Sequence, residues 1–148
     1  YVEVVKGILR FYKNKEVIIT AEAYVEELPF CFNNGSFNVE IVKYTNSLKK
    51  INNLVLDNLI DCDKINGNLF LRSRKEGDKF DLYKRNVSKS LKKLFTEENI
   101  PIEIRDKIPV LSDDNGVVWV YGFGVTKRNC ADKHSDNIIL VRGKNNDR

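Results

Sequence analysis

Three turn signals, Asn33-Asn34-Gly35, Asn66-Gly67-Asn68 and Asp114-Asn115-Gly116, confine much of the apolar content of this chain to short runs. Each couples a glycine, free to adopt a left-handed backbone, with side chains that hydrogen-bond their own main chain, which is the chemistry of tight reversals. Runs between such turns suit strands better than long helices. Residues 36–42 alternate with period two, so Phe37, Val39 and Ile41 share one face and Ser36, Asn38 and Glu40 the other. Residues 7–12 and 16–20 flank the polar Lys13-Asn14-Lys15 and predict a hairpin. Residues 69–72 leave the second turn as a strand, and 109–111 with 117–121 form a hairpin around the third. A final strand is expected over 137–141.

One helical signal interrupts this pattern. Ser88 predicts an N-cap, with Val87 before it as a hydrophobic staple. The residues that follow place Leu91, Leu94 and Phe95 on one face, and Lys89, Lys92 and Lys93 on the opposite side. Asn99 and Pro101 stop that helix, and Pro101 opens a short second one over residues 102–106. Residues 46–65 fit a helix only loosely, through Leu48, Ile51, Val55 and Leu59. Asn52-Asn53, Asn58 and Asp61-Cys62-Asp63 argue for a loop and a short strand instead. Many strands with a small helical insert predict an α+β domain.

The 148 residues suffice for one domain with a proper core, or two very small ones. No apolar run approaches the roughly 20 residues needed to span a bilayer, and no signal-peptide pattern is present, so the expectation is a soluble globular chain. It begins at Tyr1 and contains no Met, which reads as a piece of a longer polypeptide. Cys31, Cys62 and Cys130 are odd in number and widely spaced, and His134 is the sole histidine. That excludes an ordinary zinc site and predicts free thiols in a cytosolic protein. Phosphate-binding glycine signatures are missing: Gly122-Phe123-Gly124 is a lone G-x-G with no helix signal after it.

Charge is the remaining signal. The net +4 divides into −1 over residues 1–71 and +5 over residues 72–148. Arg72 to Lys93 alone carries 9 basic against 3 acidic side chains. Such a block attracts phosphates unless it is only a solvated face. Arg72 and Arg74, two apart on a predicted strand, are expected to leave the same face and bracket a phosphate, the alternative being surface pairs with Glu76 or Asp78. Gly77 and Asp78 read as a structural turn, the Asp closing it through backbone amides. Lys92, Lys93 and, further on, Arg105 complete the candidate polyanion contacts. Trp119 and Tyr121, on one strand, are more often core than base-stacking residues. No catalytic residue and no metal ligand set is predicted, because neither Asp78 nor His134 has a partner in the sequence.

The strings LFLRSRKEGDKF, SLKKLFTEENIPIEIRDKIPVL and GVVWVYGFGVTKR resemble the C-terminal domain of the tRNA(Ile)-lysidine synthetase family. The resemblance rests on Arg72, Arg74, Gly77 and Asp78; on Lys92, Lys93, Leu94 and Phe95; on Ile100, Pro101 and Arg105; and on Trp119 and Gly122. It covers residues 69–141, about half the chain, with residues 1–68 similar to the more variable strands that adjoin it. Where the family often has a glycine-rich basic loop before the helix, this chain has Leu82-Tyr83-Lys84-Arg85-Asn86-Val87. The resemblance implies a β-sandwich-like core with helices on one side, in β/β/α layers, shared with a domain of the phenylalanyl-tRNA synthetase β chain. It implies a parent ligase that forms a C–N bond, converting the wobble cytidine of tRNA(Ile) to lysidine with lysine, ATP and Mg in an N-terminal PP-loop domain. On that basis this segment is itself non-catalytic and needs no cofactor. It holds tRNA(Ile) near the acceptor stem through Arg72, Arg74, Lys92, Lys93 and Arg105. The implied setting is cytoplasmic, with the PP-loop domain as a partner, no membrane contact, and a homodimer left open. The rival expectation is a domain-docking module without RNA contact.

Overall fold

The computed structural model describes residues 2–5, 8–13, 16–17, 23–44, 58–82 and 87–146. Its strands are β1 (Val2–Val5), β2 (Ile8–Lys13), β3 (Glu16–Val17), β4 (Ala23–Val25), β5 (Phe30–Asn33), β6 (Phe37–Tyr44) and β7 (Leu59–Asp61). They continue with β8 (Leu69–Arg72), β9 (Lys79–Leu82), β10 (Val87–Ser90), β11 (Val110–Asp113), β12 (Gly116–Val120), β13 (Gly124–Val125) and β14 (Ile138–Asn145). Two short helices, Leu91–Glu97 and Ile102–Arg105, lie between β10 and β11.

Every pairing among the described strands is antiparallel. A sheet of order β13-β12-β11-β8-β4 faces a second of order β5-β6-β14-β7. Ala23, Leu71, Leu111, Val118 and Trp119 from the first pack with Phe30, Phe32, Val39, Ile41, Ile139 and Val141 from the second. The opposite face of the first sheet presents Val110, Val117 and Val120 to Leu91, Leu94 and Phe95 of the first helix. The layers are therefore sheet, sheet and helix, the α+β arrangement expected. Alternation alone would put Val118 on the helix side. A β-bulge prevents it: Leu111 pairs with Trp119 but Ser112 with Val117, so Val118 is the extra residue. Val118 and Trp119 then share the inter-sheet face.

The stripe of Phe37, Val39 and Ile41 is buried as the period-two pattern requires, and the Asp114-Asn115-Gly116 hairpin is present. β2 pairs antiparallel with β3, Tyr12 opposite Val17, as the hairpin expected around Lys13 requires, while residues 14 and 15 of its turn lie outside the described residues. Two expectations shift. The helix starts at Leu91, and its cap is Ser90, whose Oγ accepts from the Lys93 amide at 3.1 Å. Ser88 instead pairs with Asp81 in a β9–β10 ladder, so Lys89 is a strand residue bonded to Glu97 rather than part of a helical lysine face. The last strand runs on to Asn145 because the whole length of β6 is there to pair with it. The helix-or-loop question over Leu48, Ile51 and Val55, and the basic Lys84-Arg85, lie outside the described residues.

Candidate nucleic-acid interface

Between β8 and β9 the chain reverses through Lys75 to Asp78. Gly77 sits at φ +88°, a conformation costly for any side chain with a Cβ, and the Asp78 amide bonds the Lys75 carbonyl at 3.1 Å. Asp78 closes the turn from the other side, its Oδ2 accepting from the Lys75 amide at 2.7 Å. Its carbonyl accepts from the Leu91 amide at 2.9 Å, which fastens the turn to the start of the helix. Gly77 and Asp78 thus sit in the turn itself, and Asp78 bonds through both its carboxylate and its carbonyl.

Arg72 is not on the surface. Strand β8 ends at this residue, and its side chain is only 7 % exposed. Nη1 and Nη2 donate to the two Asp78 carboxylate oxygens at 2.7 and 3.0 Å, Nε donates to Ser112 Oγ at 3.0 Å, and Nη1 also reaches the Ser73 carbonyl. Four of the five N–H groups of a guanidinium are thus used inside the protein. The expected same-face pair with Arg74 does not form. Arg74 lies past the strand end, where alternation no longer sets direction, and Arg72 is locked onto the turn.

Arg74 does reach the surface. Its Cζ lies 5.7 Å from the centre of the Phe95 ring, and its Nε donates to Asp106 Oδ1 at 3.0 Å. Arg105 donates from Nε to the Ile100 carbonyl at 2.8 Å and from Nη1 to Thr96 Oγ1 at 3.2 Å. Both acceptors are neutral, so these contacts orient the guanidinium and leave its charge unbalanced locally. Lys92 projects from the exposed side of the helix. These three residues, with Lys75 and Ser90, line an open groove of about 490 Å³ that also meets Glu76, Asp78 and Asp106. The carboxylate of Asp78 is already matched by Arg72. Lys93 is exposed one step round the helix and does not line the groove.

Of the sequence candidates, the fold brings Arg74, Lys92 and Arg105 together, leaves Lys93 adjacent and removes Arg72. Lys75 and Asp106 were missed. A Lys next to the Arg-x-Arg string was a readable signal for the first, whereas Asp106 meets Arg74 only through the turn after the second helix.

Elsewhere polar groups serve the framework. Trp119 is buried and its Nε1 donates to Asn58 Oδ1 at 3.0 Å. Burial alone would push the Asp113 carboxyl up. The Arg128 guanidinium at 2.8 and 3.1 Å, with the amides of Asn66 and Asn115, outweighs it and holds the group below the usual carboxylate range. Burial, then the charges of Asp61 and Asp63, push the Cys62 thiol up, against a smaller lowering by Lys43, so it stays protonated. Cys31, Cys62 and Cys130 form no disulfide among the described residues, and His134 lies exposed in a loop. Among the described residues no three His, Cys, Asp or Glu side chains converge as for a metal ion. No described helix is long and apolar enough to cross a membrane.

A family model described as the TilS substrate C-terminal domain matches residues 69–141, the stretch that carries β8, the turn, both helices and the groove. Over these residues the chain belongs to the TilS C-terminal domain family. A crystal structure of the TilS C-terminal domain superposes with a TM-score of 0.70 at 21% identity, covering 85% of this chain and 98% of that one. At that identity the likeness speaks for the fold. The tRNA(Ile)-lysidine synthase of Clostridium tetani is 32% identical over 111 residues, which are 74% of this chain and 24% of that protein. That of Clostridioides difficile is 29% identical, over 92% of this chain and 32% of the relative. The chain therefore spans between a quarter and a third of the length of these TilS relatives.

Proposed function

We propose that this chain is the tRNA-holding C-terminal part of a tRNA(Ile)-lysidine synthase, the ligase that converts the wobble cytidine of tRNA(Ile) to lysidine. On this reading the bond-making, with ATP and Mg, belongs to an N-terminal PP-loop domain, and the present domain makes no bond itself. Its partners are tRNA(Ile) and that PP-loop domain, and its setting is the cytoplasm. The observation that carries the reading is the groove: Arg74, Lys92 and Arg105 converge on one open surface. An A-form helix such as an acceptor stem offers phosphates and 2′-hydroxyls rather than readable base edges, and spaced cations match that. Each phosphate neutralised releases counterions, so affinity must fall steeply with salt.

The test is binding of tRNA(Ile) to the 148-residue chain by fluorescence anisotropy, titrated against KCl. Lys92→Ala with Lys93→Ala should weaken binding and lower the salt slope by about one to two ions, with unfolding unchanged because both side chains are exposed. A salt-insensitive interaction, or none, would favour docking onto a protein surface.

A further inference from the structure

Asp106 lines the groove and pairs with the groove cation Arg74 in an odd way. Its side chain is 79 % exposed, and it bonds only Nε of Arg74, through one oxygen. The two terminal amino groups of Arg74 have no protein partner among the described residues. The guanidinium is nevertheless held in place. It lies over Phe95, which is fully buried and itself stacked on Phe123 at 5.8 Å and 26°. A planar cation laid on an aromatic ring keeps its edges free for in-plane acceptors. Nε of Arg74 carries an exposed carboxylate, and the residue lines the groove.

We propose that Asp106 occupies, on Arg74, the place of an RNA phosphate and yields it when the backbone docks. This deepens the tRNA-holding reading and rests on it. A phosphodiester carries the same charge and can take two N–H groups at once, where Asp106 takes one. The carboxylate is an easy leaving group, since an ion pair this exposed contributes about two- to five-fold or less to an equilibrium. It belongs to the residue that ends the four-residue helix Ile102–Arg105, so its departure disturbs no core residue. Once it leaves, Arg74 lines the groove beside Lys92 and Arg105 without the acid that had been bonded to it. Asp106 thus acts as a competitor. Stray polyanions that cannot engage Arg74 in register meet a negative charge instead, which is discrimination by an unfavourable contact.

The test compares Asp106→Asn with Glu103→Gln, an exposed acid on the same helix that does not line the groove. The probe is a short A-form RNA duplex bound to the 148-residue chain, its affinity read by anisotropy from low to high KCl. Asp106→Asn should tighten binding by about two- to five-fold at low salt. Glu103→Gln should change it by less. In a chain carrying Arg74→Gln the gain from Asp106→Asn should vanish. Equal gains from both acids would overturn the proposal in favour of simple net charge. So would no gain from Asp106→Asn while Lys92→Ala still weakens binding, although the tRNA-holding reading would then survive. If neither the parent chain nor Asp106→Asn binds with salt dependence, both fall together.

Discussion

Arg72→Met is the substitution that most sharply separates framework from interface. In the structure Arg72 and Asp78 are 7 % and 10 % exposed and joined by two hydrogen bonds of 2.7 and 3.0 Å. Removing the cation leaves the Asp78 carboxylate buried with only the Lys75 amide, and Ser112 Oγ without its donor. Breaking a buried pair from one side costs about 3–5 kcal/mol. The pair lies close to the turn surface, so water can reach part of the orphaned carboxylate, and the lower end, about 3 kcal/mol, applies. For a domain of this size that is roughly 6–12 °C in melting temperature. The assay is calorimetry with urea denaturation of Arg72→Met, Asp78→Leu and the double variant. The double variant should regain about 2–3 kcal/mol of the summed loss, because no charge is left buried alone. RNA affinity of the fraction that stays folded should be unchanged. The opposite result, a melting shift below about 2 °C with a tenfold loss of RNA affinity, would show that Arg72 serves the ligand and that the burial argument is wrong.

Two further outcomes follow from the framework. Gly143→Ala places a Cβ 2.4 Å from Tyr121 Cδ2 and 3.3 Å from the Trp119 ring, so the aromatic pair must move and urea titration should show a loss of about 1–3 kcal/mol. Asp113 is held below its ordinary carboxylate range when folded. Its contribution is complete above about pH 4, where the unfolded carboxyl ionises, and is lost as pH falls through the lower folded value. Arg128→Met removes the strongest lowering partner, so acid unfolding followed by Trp119 fluorescence should begin at a higher pH than in the parent chain.

What could be read in advance was local. The alternation of Phe37, Val39 and Ile41 and the spacing of Leu91, Leu94 and Phe95 each state a buried face within a few residues. The Asp114-Asn115-Gly116 turn states a hairpin in the same way. Ser88 and Ser90 are equally good caps in isolation. The choice fell to Ser90 because Lys79–Leu82 lies alongside and draws Val87–Ser90 into a ladder. Arg72 took Asp78, the acid six positions on that the sequence offered as an alternative, but its burial against Ser112, 40 positions away, and the pairing of Arg74 with Asp106, 32 positions away, were not local. No spacing rule carries such distances. The displacement of Val118 is of the same kind, since a bulge is a property of two strands together.

The β6–β14 ladder sets the order in which this molecule can be completed. It pairs Tyr44 with Ile138 and Phe37 with Asn145, and the Asn146 amide then bonds the Ser36 carbonyl at 2.8 Å. Contacts that distant in sequence raise the contact order and slow the closing step. On the ribosome the β5–β6 hairpin must wait, with one edge unpaired, until residues 138–145 have left the exit tunnel. The turn, the helix and the Arg74–Asp106 surface lie wholly within residues 72–106 and are synthesised well before that. The groove-bearing segment therefore emerges ahead of β14, the one strand that completes the sheet behind it.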